Sequence, residues 1–452
     1  MARPGTTVDR EESPEPLNIP TSPWTPEEPA FWESVGKKRA WKTLWITTYC
    51  LILSFATWFM VSAIAVKLTG IGFKFSTQEL FWLTAMPGLA AGTLRIIHTF
   101  LIPVFGTRKT VAFSTILLLI PAIGWGMAVA NPNTSFTTFM VLAFLAGLGG
   151  GNFSSFMPST SLFFPKKLQG TALGIQAGLG NFGVSVAQFL IPAIIGVALI
   201  GGSQTFTKAD KTSQIFLQNA AYIWVPFIVI GAIAAWFGLR SVPVKATFRE
   251  QLDIFKHKHT WLMTSMYFMT FGTFSGLAAC FPLLIKQLYG GQPNSPDPLA
   301  FAFLGPLIGA GIRAACGPIA DRFGGAKVTT VSAIGLVVCS ILILPFAAPT
   351  SLDSWGGFLW LMLGLFFFSG IGNASTFKQM PMIFPPRQAG GVIGWTSAIA
   401  AYGPFVFSVL LGMIIGTGKN ASPFFIGLAV FSAINLVLNY WYYTRKGAEK
   451  PC

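Results

Sequence analysis

The chain has 452 residues, of which 53% are hydrophobic and only 10% charged. Soluble domains carry about 25% charged residues, so the composition excludes a water-soluble globular protein and points to an all-α integral membrane protein. The formal net charge is +15, from 30 Lys and Arg against 15 Asp and Glu. With three histidines and five scattered cysteines, the chain shows neither a disulfide framework nor metal-ligand spacing, and no cofactor is expected.

In chain order, residues 1–40 are rich in Pro, Glu and Ser and read as a cytoplasmic N-terminal tail. They contain no apolar h-region, so no secretory signal peptide is expected. Within them, WTPEEPAFW reads as an ordered bit of tail against the membrane surface, its alternative being a short surface helix capped at Thr25. Twelve apolar runs follow, each near the roughly 20 residues that a spanning helix needs. Six (41–68, 80–103, 110–130, 136–164, 170–200 and 219–239) form a first bundle, residues 41–239. After a basic central loop, 240–259, six more (260–284, 299–319, 328–348, 355–384, 390–417 and 422–443) form a second bundle, residues 260–445. A short tail, 446–452, ends the chain.

The positions of Lys and Arg set the orientation. With the N-terminus inside, inner segments hold 22 of the 30 basic residues and outer loops hold six. Both termini are then cytoplasmic. The same asymmetry accounts for the positive net charge without a nucleic-acid partner.

The two remaining basic residues, Arg95 and Arg313, lie inside apolar runs, in MPGLAAGTLRIIHTFLIPVFGTRK and PLIGAGIRAACGPIADRFGGAK. In both segments the arginine precedes a glycine by 11 residues and a lysine by 14 (Gly106 and Lys109; Gly324 and Lys327). GNFSSF (151–156) likewise recurs as GNASTF (372–377), each followed by a Phe-Pro pair and a basic loop. Two similar six-helix halves imply a pseudo-two-fold transporter with its site at mid-bilayer. This is the architecture of the major facilitator superfamily, whose cytoplasmic loop motif GPIADRFGGAKV resembles, with Asp321 and Arg322 as gating candidates. The first-half copy has Pro103 at the acid's place, so a salt-bridged gate is expected only at the second.

A charge at the bilayer centre costs on the order of 2.5–3.5 kcal/mol on insertion scales and marks a pathway by default. All 15 acids fall in the tail, in loops, at helix ends or at the C-terminus. A small anion is therefore the expected counter-charge, the alternative being backbone carbonyls and water. Arginine's planar fork suits planar oxyanions. A site without carboxylates disfavours phosphate, whose hydroxyls want acceptors; nitrate, nitrite, chloride and bicarbonate stay open on this physics.

From WTPEEPAFW through both arginine segments, nearly the whole chain resembles the bacterial nitrate/nitrite porter family. GLGNFGVSVAQ (178–188) is similar to that family's first nitrate signature. The resemblance implies that nitrate and nitrite are the partners and that Arg95 and Arg313 grip the anion. Phe153 and Phe271 would sandwich it, while Asn181 and Tyr267 would add hydrogen bonds. Gly178, Gly180 and Gly183 would serve the signature and also allow close helix packing. SAIAAYGPF (397–405) is the second signature region, less glycine-rich than the family pattern, with Ser397 as a contact candidate. The implied setting is a bacterial inner membrane, in nitrate assimilation, with a monomer expected.

Without an intramembrane Asp or Glu, nitrate/nitrite exchange is expected over nitrate/proton symport. His98 lies one turn from Arg95 and is read as a neutral hydrogen-bonding bystander, its alternative being a proton-coupling group. A non-transporting anion sensor is a further alternative, though no output domain is evident. An enzyme would need a nucleophile, base or metal constellation, which the sequence lacks.

Overall fold

The computed structural model describes residues 24–452, apart from Phe100, 209–210, 243–251, Pro293 and Thr417, and the side chains of Pro386 and Arg387. The tail up to residue 23 and the middle of the central loop, with Lys245, Arg249 and Glu250, lie outside the described residues, as does Asp210.

Twelve helices among the described residues are long and apolar enough to cross a membrane. The first six are α1 (Pro29–Ile71), α2 (Thr77–His98), α3 (Leu101–Ala130), α4 (Phe136–Ser161), α5 (Lys166–Ile194) and α6 (Asn219–Gly238). The second six are α7 (Lys258–Tyr289), α8 (Pro298–Phe323), α9 (Gly325–Leu342), α10 (Leu352–Ile383), α11 (Gln388–Ile415) and α12 (Ser422–Thr444).

The start of α1 departs from expectation. Thr25 caps nothing with its side chain; its carbonyl accepts the Glu28 N–H at 3.1 Å in a turn, and the helix begins at Pro29. Proline at the first helical position has its φ preset and no N–H to satisfy, so no cap is required there. The helix runs through a π-helical turn, Trp32–Gly36, straight into the first apolar run. Trp24 and Trp32 pack on Phe163 and Phe164 between α4 and α5. Glu27 Oε1 accepts the Lys166 N–H at 2.9 Å, capping α5, which has no side-chain cap of its own at Pro165. The segment therefore docks on the protein itself.

The two glycines at the repeated spacing adopt the same conformation. Gly106 (φ 74°) kinks the start of α3, and Gly324 (φ 93°) separates α8 from α9. Both lie in the left-handed region that other residues avoid. The 11-residue spacing from each arginine thus fixes the same turn in both halves.

Residues 195–200, expected to continue α5, are turns and bends instead, and the outer loop after them forms a hairpin. Strand β1 (Gln204–Lys208) pairs antiparallel with β2 (Lys211–Ile215), Gln204 opposite Ile215. Phe206 of this hairpin packs on Gly70 at the end of α1.

Within the first half, α5 lies along α1, with Gly180 against Leu51 and Gly183 against the Ile52 carbonyl oxygen, where a Cβ would not fit. Between halves, α2 meets α11, with Gly92 under the Tyr402 ring and Thr93 Oγ1 2.9 Å from Tyr402 Oη. Helix α5 meets α8 where Gly178 faces Ala314. Beyond that point, toward the face carrying Trp24 and Cys452, nothing stands within 4 Å of a Cβ at Gly174, Gly170 or Gly317. At the hairpin face the halves are tied together. Lys286 Nζ donates to Val66 O and Thr69 Oγ1 at 2.6 Å each, and Lys67 Nζ is 3.4 Å from Asp297. The halves are tied together at the hairpin face, and toward the terminal face α5 and α8 leave open space beside Gly170, Gly174 and Gly317 while Gly394 of α11 still meets Thr99.

Candidate functional site

Arg95 is fully buried and Arg313 is 6% exposed. Arg95 Nε donates to the Gly150 carbonyl at 2.9 Å on α4, and Nη1 to the Ser397 carbonyl at 2.7 Å on α11. Its Nη2 is buried without a partner, and so is Nη1 of Arg313. Among the described residues neither arginine pairs with a carboxylate. The two lie near enough for their charges, and Tyr267, to interact.

Aromatic rings bind this pair together. Arg95 Cζ lies 4.7 Å from the centre of the Phe153 ring and 5.1 Å from that of Phe271, with Trp58 at 5.9 Å. Arg313 Cζ lies 5.4 Å from the centre of the Phe377 ring. Tyr267 stacks on Phe271 at 5.6 Å and meets Phe377 at 5.3 Å, while Phe377 reaches Phe153 at 6.5 Å across the two halves. Ring faces carry negative quadrupole density and hold cations without neutralising them. The N–H edges remain available to an acceptor.

Local structure aims these groups. Helix α7 contains a π-helical turn over Phe268–Gly272, a feature often found at functional sites. Gly272 sits against Gly403 of α11 with no room for a Cβ between them. Helix α11 is itself interrupted at Ala401–Tyr402. Asn181 is fully buried, and neither its Oδ1 nor its Nδ2 has a partner; the Tyr267 hydroxyl is likewise unpartnered. Buried polar groups are normally satisfied, so the unpaired Tyr267 hydroxyl beside two uncompensated cations suits a small polar guest.

The remaining candidates fall into place differently. Ser397 contributes its carbonyl, its hydroxyl donating to Gly394 O at 2.9 Å within its own helix. His98 is 6% exposed, and Nδ1 is 2.9 Å from Ser155 Oγ on α4. Asp321 forms an ion pair at 2.5 Å with Lys378 of α10, inside the second half, whereas Arg322 lies over the Phe323 ring. Gly178 faces the opposite half; Gly180 and Gly183 pack within their own.

A family model described as Major Facilitator Superfamily matches residues 47–381. The chain belongs to the Major Facilitator Superfamily. It is 61% identical to a probable nitrate/nitrite antiporter, NarK2, of Thermus thermophilus, over 95% of this chain and 97% of that one. It is 39% identical to the nitrate/nitrite transporter NarU of Escherichia coli, over 94% and 96%. A nitrite extrusion protein of Bacillus subtilis is 28% identical, over 88% and 93%. Among solved structures, a bacterial homologue of the lysosomal transporter Spinster superposes with TM-score 0.67 at 15% identity, covering 89% of this chain and 97% of that one. That likeness shows the superfamily fold, and the protein is a transporter, not an enzyme.

Two residues against the arginines, Trp58 and Phe377, and Asn373 near Phe377 escaped the sequence reading. Asn373 is fully buried with both amide atoms unpartnered, one turn from Phe377 on α10. The repeat held a signal for the last two, since both belong to GNASTF, the second copy of the motif that supplies Phe153. Trp58 had none, standing among fourteen tryptophans.

Proposed function

We propose that this transporter exchanges nitrate and nitrite across a bacterial inner membrane by alternating access, with both termini cytoplasmic and the hairpin outside. The observation that carries this reading is the pair of unpartnered guanidinium N–H groups, Arg95 Nη2 and Arg313 Nη1, in a buried aromatic site without a carboxylate. Arg95 and Arg313 grip the anion's oxygens from opposite halves. Phe153 and Phe271 cover its faces, and Asn181 and Tyr267 supply hydrogen bonds. Ser397 tethers Arg95 through its carbonyl. The Asp321–Lys378 pair belongs to the cytoplasmic gate, and Arg322 to the last turn of α8 beside it.

Exchange follows from charge. Two cations that no carboxylate among the described residues neutralises oppose reorientation of an empty site, whereas an anion bridging them moves with both halves. His98, bonded to Ser155, is spare to this cycle. The setting of the named relatives supports the choice of anion.

Calorimetric titration of purified protein tests the site. Nitrate and nitrite should bind wild type and compete with each other, while phosphate, which brings hydroxyl donors to a site without carboxylates, should not. Binding of phosphate in preference to nitrate would contradict this reading.

A further inference from the structure

A second cationic cavity lies at the hairpin face, away from Arg95 and Arg313. It encloses about 230 Å³ between the end of α1, the end of α7, the start of α8 and strand β1. At roughly 30 Å³ per water, that is room for several waters or for a small anion.

Three ammonium groups line it, from Lys67, Lys208 and Lys286, against one carboxylate, Asp297. Asp297 pairs with Lys67 at 3.4 Å, and Lys67 also lies 4.8 Å from the centre of the Phe206 ring. The other two ammonium groups bond to neutral oxygens. Lys286 donates to Val66 O and Thr69 Oγ1, and Lys208 to Ser295 O at 3.2 Å. Lys67, 8% exposed, is the member that pairs with Asp297, whereas Lys208 and Lys286 are half-buried and their charge stays unmatched among the described residues. Burying charge without a counter-charge is costly. The cluster also straddles the halves, with Lys67 and Lys208 on the first and Lys286 and Asp297 on the second.

We propose that this cavity is an outer anion site, in which Lys67, Lys208 and Lys286 hold the transported anion at the hairpin-face entrance before or after its passage through the central site. Opening of the halves at this face breaks the Lys286 and Lys67 cross-links and presents the same ammonium groups to the incoming ion. An electropositive, low-dielectric mouth concentrates anions and raises their capture rate. The inference rests on the exchange reading for the identity of the anion.

The test compares nitrate KM at the two faces, by uptake into intact cells and into inverted membrane vesicles. Lys286→Met and Lys208→Gln should each raise KM at the hairpin face about 3- to 10-fold by weakening capture, leaving KM at the terminal face as in wild type. Lys286→Arg, which keeps the charge, should restore the hairpin-face value. If these lysines only latch the halves shut, losing the latch favours the outward-open state and lowers the hairpin-face KM instead. A lowered or unchanged hairpin-face KM, or an equal rise at both faces, overturns the outer site. Lys208→Gln, on the hairpin, decides the matter if Lys286→Met fails to fold. A wild type without nitrate flux would sink the exchange reading and this inference with it; wild-type flux with the wrong KM pattern sinks the outer site alone.

Discussion

Arg95 on α2 donates its Nη1 to the backbone carbonyl of Ser397 on α11, 2.7 Å away, so the first half's buried cation is bonded to the second half's backbone. A carbonyl bears only a partial charge. The bond positions the guanidinium fork without neutralising it, and Nη2 stays unpartnered. The interruption of α11 at Ala401–Tyr402 lies one turn further along, where the helix can flex and carry the carbonyl with it.

Arg95→Lys tests the fork. Lysine keeps the charge but cannot serve Gly150, Ser397 and an anion from one rigid plane. Loss of one charge-assisted hydrogen bond costs about 1.5–3 kcal/mol, which at about 1.4 kcal/mol per decade predicts a roughly 10- to 100-fold fall in nitrate flux. The variant should still assemble in the membrane, checked by size-exclusion chromatography. Wild-type flux would show that charge alone suffices.

Phe271→Leu tests the aromatic faces. Leucine fills the core but has no quadrupole for Arg95. At about 0.5–2 kcal/mol for a cation–π contact, nitrate binding should weaken roughly 2- to 30-fold by calorimetry, with expression preserved. Unaltered binding would return Phe271 to ordinary packing.

Asn373→Leu separates stability from function. A buried amide with neither atom satisfied costs about 1–3 kcal/mol, so an apolar residue of similar volume should raise the thermal midpoint of the anion-free protein. Flux should fall, because the amide is kept at that cost one turn from Phe377. A lowered midpoint with normal flux would mark Asn373 as structural.

His98→Asn should leave exchange within about twofold of wild type, since an amide can still bond Ser155 at hydrogen-bond cost near 1 kcal/mol. Loss of exchange, or a newly altered response to a proton gradient, would make His98 a participant.

Much of this was legible in the sequence because the membrane constrains it. Apolar run length fixed twelve spans, and the absence of intramembrane acids isolated Arg95 and Arg313 before any geometry was known. The duplicated spacing marked Gly106 and Gly324 as equivalent positions, though not as turns. What escaped has physical reasons. The hairpin at 204–215 has a polar strand pattern that resembles any outer loop. The start at Pro29 depended on tertiary docking of Trp24 and Trp32, which local cap chemistry at Thr25 does not record. Trp58 is an ordinary aromatic in a chain with 14 tryptophans, and only the fold brings it to Arg95, whereas the signal for Phe377 lay unused in the GNASTF repeat. Ser397 acts through its backbone, which no side-chain argument reveals.

The central claim is that an uncompensated two-arginine site reorients only with an anion aboard. Uptake of labelled nitrate into proteoliposomes, preloaded with nitrite or empty, with and without an inward proton gradient, measures it directly. The account predicts uptake that requires internal nitrite and is indifferent to the gradient. Uptake into empty vesicles driven by the gradient would contradict it.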